Sequence, residues 1–271
     1  MEIDSEKFIV VFDLDETLGH FSQLNIFWSI LEKFYNSHNI ETSNQDFFDL
    51  LDIFDRFLRP NIMRILKFLK HKKESGKCEK IMIYTNNNGP KSWAELIRDY
   101  FHHKLNYHLF DQVIGAFKVH DKQIEMCRTS HYKSVSDLIK CTMLPQNTKI
   151  CFIDDVHHPE MEHENVMYLH IKPYTYNYKF KNMIETYFSK NHEKIQRITS
   201  REKYVEYFKR HSKGYKYDNL KKSGLEQEID DILGKKIIDH LEEFFKTKKS
   251  ASRTRKRRTI RLNTTKRIKR S

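Results

Sequence analysis

The chain is poor in the residues that loosen a backbone: of 271 residues, 7 are glycine and 5 are proline. That scarcity excludes a linker-rich or disordered chain, and with 13% aromatic residues the composition describes a packed globular protein. Long apolar runs are missing as well. None approaches the roughly 20 residues that a membrane helix needs, and the opening MEIDSEKF carries no apolar signal core. The expectation is a soluble, intracellular protein with no membrane partner. Cysteine is sparse: Cys78, Cys127, Cys141 and Cys151 are widely spaced with no C-x-x-C pair, which reads as a reducing compartment.

Charge is distributed unevenly along the chain. From Lys246 onward there are 13 Lys or Arg and no Asp or Glu, so the net charge of +12 belongs to the tail and leaves 36 basic against 37 acidic residues elsewhere. The tail, SASRTRKRRTIRLNTTKRIKRS, cannot build a core and is expected to be disordered. It reads as a nuclear-localisation signal, a nucleic-acid contact without sequence preference, or a solubilising charge run. A nucleic-acid contact would be strongly salt-dependent, because it releases counterions.

What the chain does have is an alternation of strands and helices. Phe8–Phe12, Ile81–Tyr84, Val113–Phe117, Ile150–Ile153 and Val166–Ile171 are short apolar runs rich in β-branched and aromatic residues, and read as buried strands. Helical spacing fills Phe47–Phe68, Ser92–Leu105 and Val135–Cys141 between them. The fold class is therefore α/β, a Rossmann-like parallel sheet with helices on both faces. Charged helical segments follow at Ser200–His211 and Leu225–Phe245, the latter with an apolar stripe suited to packing on the body.

Parallel sheets gather functional groups at the carboxyl ends of their strands. Here the first strand run ends in Asp13, the second in Thr85 and the fourth in Asp154 and Asp155. Asp13 and Asp15 stand two positions apart directly after an uncharged strand. Two carboxylates so placed are costly unless a divalent cation neutralises them, and an all-oxygen site suits magnesium. A metal-bound carboxylate can attack phosphorus and split one hard hydrolysis into two easier steps. Asp13 is placed as that nucleophile, and Asp15 as the acid and base. The histidines of DDVHHPEMEH, His157, His158 and His163, lie beside acidic residues without a firm zinc spacing.

Asp13, Asp15 and Thr17 resemble the first motif, D-x-D-x-T, of the haloacid-dehalogenase superfamily of phosphatases. The longer string DLDETL, with Arg59-Pro60 before a helix, resembles the branch that includes the RNA polymerase II C-terminal-domain phosphatases, which act on phosphoserine or phosphothreonine. The resemblance implies that Thr85, helped by Asn86 and Thr17, binds phosphoryl oxygens. It implies that Asp154 and Asp155 complete a magnesium shell with Asp13 and the Asp15 carbonyl, and that a lysine neutralises nucleophile and phosphate. Lys133, opening KSVSDLIK, is the first choice for that lysine, with Lys118 and Lys122 as rivals.

The expected division is a phosphatase domain over 1–190, with 19–58 as a helical insert or small cap, a helical extension over 191–245, and the basic tail over 246–271. The resemblance does not reach 19–58 or Phe117–Tyr132. The expected function is a magnesium-dependent phosphatase acting on a phosphorylated protein through an aspartyl-phosphate. A phosphatase of nucleic-acid ends or nucleotides, and a catalytically silent scaffold binding a partner protein, are the alternatives.

Overall fold

The computed structural model describes residues 7–215, 222–246 and 259–262. They fall into two compact units. One, the sheet unit, comprises Met1–Leu18, Arg59–Tyr174 and Gly224–Ser271; the other, the helical unit, comprises Gly19–Leu58 and Thr175–Ser223.

The sheet unit holds strands β1 (Phe8–Phe12), β2 (Lys80–Tyr84), β3 (Gln112–Ile114), β4 (Lys118–Val119), β5 (Lys122–Gln123), β6 (Lys149–Asp154), β7 (Val166–Ile171) and β8 (Thr259–Leu262). The main sheet has the order β3-β2-β1-β6-β7-β8, parallel throughout, while β4 and β5 form a separate antiparallel pair. The fold class expected from sequence is thus the observed one. Most of the tail expected to be disordered lies outside the described residues; Thr259–Leu262 within it pairs with β7.

Numbering helices in chain order along the whole molecule, α1 (Ser22–Asn36) and α2 (Asn44–Ile53) belong to the helical unit, and α3 (Ile62–Glu74), α4 (Lys91–Leu105) and α5 (Val135–Thr142) to the sheet unit. The helical unit resumes with α6 (Phe180–Lys190), α7 (His192–Gln196) and α8 (Arg201–His211), and α9 (Gly224–Phe245) returns to the sheet unit.

Alternation of side chains buries both sheet faces. Ile9, Val11, Met82, Tyr84, Ile150 and Phe152 pack with Leu138 of α5 on one face, while Val10, Phe12, Ile81, Ile83 and Ile153 are equally buried on the other. The α9 stripe packs against α3 and β7 as its spacing implied, with Leu233, Ile237 and Leu241 buried. Leu225 departs from that stripe and is exposed. Gly234 permits the close approach: a Cβ there would lie 2.7 Å from Asn61 Cβ and 2.8 Å from the Pro60 carbonyl oxygen.

Two sequence expectations are corrected. The helical spacing over Phe47–Phe68 is broken between Ile53 and Ile62, because Pro60 cannot continue an intrahelical ladder and Asn61 turns left-handed at φ 64°. The third strand ends at Ile114, since the backbone N–H of Gly115 turns to the Glu125 carboxylate (3.1 Å) instead of a ladder.

In the helical unit the core is aromatic. Phe27 has the rings of Phe54, Phe180, Tyr187 and Phe208 at centroid distances of 5.0–5.8 Å. Tyr178 packs at 5.1 Å on both Phe54 and Phe57, so the tyrosines near 176–178 are packing groups here. Among the described residues no helix is long and apolar enough to cross a membrane.

Candidate active site

The strand order places the site. From β1 the chain proceeds to β2 and β3 on one side, then returns to β6 and β7 on the other, so the direction of winding reverses between β1 and β6. At such a switch point the loops leaving the two strands diverge and open a crevice at their carboxyl ends. Register pairs Phe12 with Ile153, and Asp13 N–H donates to the Ile153 carbonyl (2.9 Å), so Asp13 and Asp154 emerge side by side.

Asp13, Asp154 and Asp155 present carboxylate oxygens within 4.8 Å of one another. Asp13 and Asp154 are buried and Asp155 is half-buried. The Lys133 ammonium, 1% exposed, donates to Asp13 Oδ1 and to Asp154 Oδ2, the latter at 2.7 Å. Three carboxylates against one ammonium leave an excess of negative charge. The donor set, all hard oxygen, is one that can hold a metal ion.

The electrostatics follow from this crowding. Burial pushes Asp13 well above the usual carboxylate range, with Lys133 pulling against it and Asp154 adding to it. For Asp154, burial acts upward too, but Lys133 and His158 outweigh it and hold the group below its ordinary value. Burial would lower Lys133, yet Asp13 and Asp154 more than reverse this and raise it. Burial and the neighbouring Asp154 push Asp155 up to about 6, opposed by a hydrogen bond from Thr17 Oγ1 (3.0 Å).

The loop after β1 is held from below by Arg59. Its guanidinium, 1% exposed, donates to the carbonyls of Thr17 (2.6 Å), Glu16 (2.5 Å) and Lys172 (2.9 Å) and lies over the Tyr174 ring. Burial lowers its pKa to about 10 despite Asp230 and Asp155 nearby. These bonds secure a turn in which Glu16 takes the left-handed φ of 56°, a conformation that costs a non-glycine residue energy. Arg59, which the sequence places with Pro60 before a helix, thus shapes the loop after β1.

Thr85 follows β2 and is buried; its Oγ accepts from Asn87 N–H (3.0 Å). Asn87 Nδ2 donates to Asp15 Oδ2 at 2.5 Å, whereas Asn86, the residue named from sequence, is exposed. The run of Asn86, Asn87 and Asn88 offered an amide near the site but no way to tell which would turn inward. The Asp15 side chain stands outside the three-carboxylate group. Of the rival lysines, Lys118 and Lys122 sit on the β4–β5 pair, and Lys133 is the one that meets the aspartates.

His158 was also missed as a neighbour of the site. It is buried with Nε2 3.5 Å from Asp154 Oδ2, while His157 contacts Glu162 (3.0 Å) and His163 Nδ1 accepts from Asn165 N–H (3.2 Å). The three histidines thus serve separate partners, and the candidate metal cluster among the described residues is the aspartate one.

The sequence reading of reduced cysteines is corrected for one pair: Cys127 and Cys141 form a disulfide with Cα atoms 5.0 Å apart, while Cys78 and Cys151 are free and buried. Their separation of 14 residues hid the pairing, which arises because α5 folds back along the segment before it.

Comparison with family models, with curated proteins and with solved structures returns no match to this chain.

Proposed function

We propose that the chain is a magnesium-dependent phosphatase that cleaves a phosphate monoester through an aspartyl-phosphate on Asp13. The observation that carries the reading is the buried Lys133 ammonium shared by Asp13 and Asp154, beside Asp155, at a switch point of a parallel sheet. Buried unmatched charge destabilises a fold, and an arrangement with surplus carboxylate is most readily accounted for by a cationic ligand and a task.

Magnesium fits the donors: Asp13, Asp154 and Asp155 supply carboxylate oxygens, and a divalent charge offsets their surplus over Lys133. When bound, the ion supplies charge neutralisation for the phosphoryl group and the attacking carboxylate.

The residues then divide the work. Lys133 holds Asp13 in place but does not by itself outweigh the burial that raises it; with the charge of a bound divalent cation added, the Asp13 carboxylate stays ionised as the nucleophile. Asp13 Oδ forms a bond to phosphorus as the ester P–O bond breaks, and Asp15 gives its proton to the departing oxygen. Asp15, now a carboxylate, takes a proton from water, whose oxygen attacks phosphorus and releases Asp13 and inorganic phosphate. Asn87 orients Asp15 through the 2.5 Å bond, and Thr85 offers its hydroxyl to a phosphoryl oxygen. The resemblance of DLDETL directs the substrate reading to phosphoserine or phosphothreonine in a protein.

The test is hydrolysis of an aryl phosphate with and without magnesium by the native chain and by Asp13→Asn. Magnesium-dependent turnover lost in the variant is the expected result, and a phosphopeptide and phosphorylated-oligonucleotide panel then identifies the substrate class. Salt-sensitive turnover confined to oligonucleotides would replace the protein substrate with a nucleic-acid end. Equal inactivity of both proteins on every substrate would remove the enzyme reading and leave a scaffold.

A further inference from the structure

Arg128 lies in the segment for which the sequence offered no motif, yet its side chain is 1% exposed and among the largest fully buried ones in the molecule. Burying a guanidinium is costly unless its donors are met. Here Nη1 and Nη2 are met by main-chain carbonyls from three places, while Nε, also buried, has no hydrogen-bond partner among the described residues. Nη1 donates to Thr85 O (3.2 Å) and Gly115 O (2.8 Å), at the ends of β2 and β3; Nη2 donates to His131 O (3.1 Å) and Tyr132 O (3.4 Å), immediately before Lys133. The guanidinium also lies over the Tyr84 ring, 4.8 Å from its centroid, and the Lys133 ammonium lies 5.7 Å from the same ring.

The segment around Arg128 is tied on both sides. Cys127 is bonded to Cys141 of α5. Thr129 donates through N–H and Oγ1 to Asp137 (2.9 Å each), and Asp137 N–H in turn donates to Ser134 Oγ at the start of α5. Each bond joins the segment to α5 or to its first turn, so the main chain on either side of Lys133 has little freedom. Among the described residues no carboxylate forms an ion pair with Arg128; the side chain is spent on carbonyls that frame Thr85 and Lys133.

We propose that Arg128 is a positioning residue: it clamps the backbone at Thr85 to the backbone leading into Lys133, and so fixes the ammonium between Asp13 and Asp154. The assignment rests on the phosphatase reading for its consequence in turnover, but the position of Lys133 can be measured without it. A displacement of about 1 Å in such a group is enough to cost about 10²-fold in rate.

The experiment compares native protein with Arg128→Lys, Arg128→Gln and Arg128→Ala, each checked for cooperative melting. Arg128→Lys keeps charge and bulk but cannot span four carbonyls, so it is the variant on which the decision falls if the others do not fold. The first readout is labelling of lysines by acetic anhydride, followed by peptide mass spectrometry. Lys133 is expected to be protected in the native chain and labelled in the variants, while Lys73, held by Asp111 and two carbonyls, keeps its native labelling. The second is hydrolysis of an aryl phosphate with magnesium: kcat is expected to fall by about 10²-fold with KM within about threefold. Millimolar guanidinium should partly restore Arg128→Ala, whereas at that concentration it would leave a merely destabilised fold unrestored.

Folded variants in which Lys133 stays protected and kcat stays within about threefold of native would overturn the proposal. If the native chain has no turnover at all, the phosphatase reading fails on its own account, and unchanged or increased labelling of Lys133 still decides the role of Arg128.

Discussion

The two units bury different things. Among the described residues, the buried polar and charged side chains are Asp13, Thr17, Arg59, Thr85, Arg128, Lys133, Ser134, Asp137, Thr142, Thr148, Asp154, His158 and Asp230 in the sheet unit, and Gln23 alone in the helical unit. The helical unit instead buries rings: Phe27, Phe34, Tyr35, Phe54, Phe57, Tyr187, Tyr204 and Phe208. A core of rings needs only shape to be stable, whereas buried ions stabilise nothing unless their partners are all in place. The comparison puts the candidate site in the sheet unit, because that is where the chain accepts the cost of desolvating charge.

The sharpest way to break the comparison is at Asp13. With the charge network as a catalytic device, Asp13→Asn should reduce magnesium-dependent phosphatase turnover by at least about 10³-fold while thermal melting stays cooperative. A variant that retained activity would reduce the network to a structural oddity.

The helical unit should respond in stability and not through charge. Phe27→Ala removes a ring that touches four others and should cost about 3–5 kcal/mol in denaturant unfolding. A cost below about 1 kcal/mol would mean the aromatic cluster is not the core it resembles.

A pH titration probes the sheet unit away from the aspartates. His102 Nε2 accepts from Phe110 N–H (3.0 Å), which requires a neutral ring, and burial with His108 and Arg98 nearby lowers its pKa to about 4. The unfolded chain binds this proton near pH 6.5 and the folded chain does not, so the stability from His102 is present above pH 6.5 and lost as pH falls toward 4. His102→Gln should flatten that window by about 2 kcal/mol at pH 4.5. An unchanged slope would show the ring to be protonated in the fold.

The smallest effect is expected at Tyr204, whose buried hydroxyl has no hydrogen-bond partner among the described residues. Tyr204→Phe should leave stability unchanged or raise it by up to about 1 kcal/mol. A loss above that would reveal a polar role inside the aromatic core.

Much of the site was legible because its parts are local. Asp13, Thr85, Asp154 and Asp155 each end a strand whose composition marks it, and the switch-point rule brings strand ends together. Asn87 was not legible, since three adjacent asparagines differ only in which one the turn directs inward. Arg128 and the Cys127–Cys141 bond were invisible because nothing in a linear string says that α5 returns against the segment before it.

The sequence by itself determined the α/β class, the parallel sheet and the carboxylates at its edge, because period, β-branching and strand-end polarity act within a few residues. Tertiary structure alone decided that Lys133 meets Asp13 across 120 positions, that Arg59 and Arg128 serve carbonyls and not carboxylates, and that 175–223 groups with 19–58. Those outcomes depend on strand order and on how elements distant in sequence fill one another's unmet hydrogen bonds, a balance that only the assembled chain can strike.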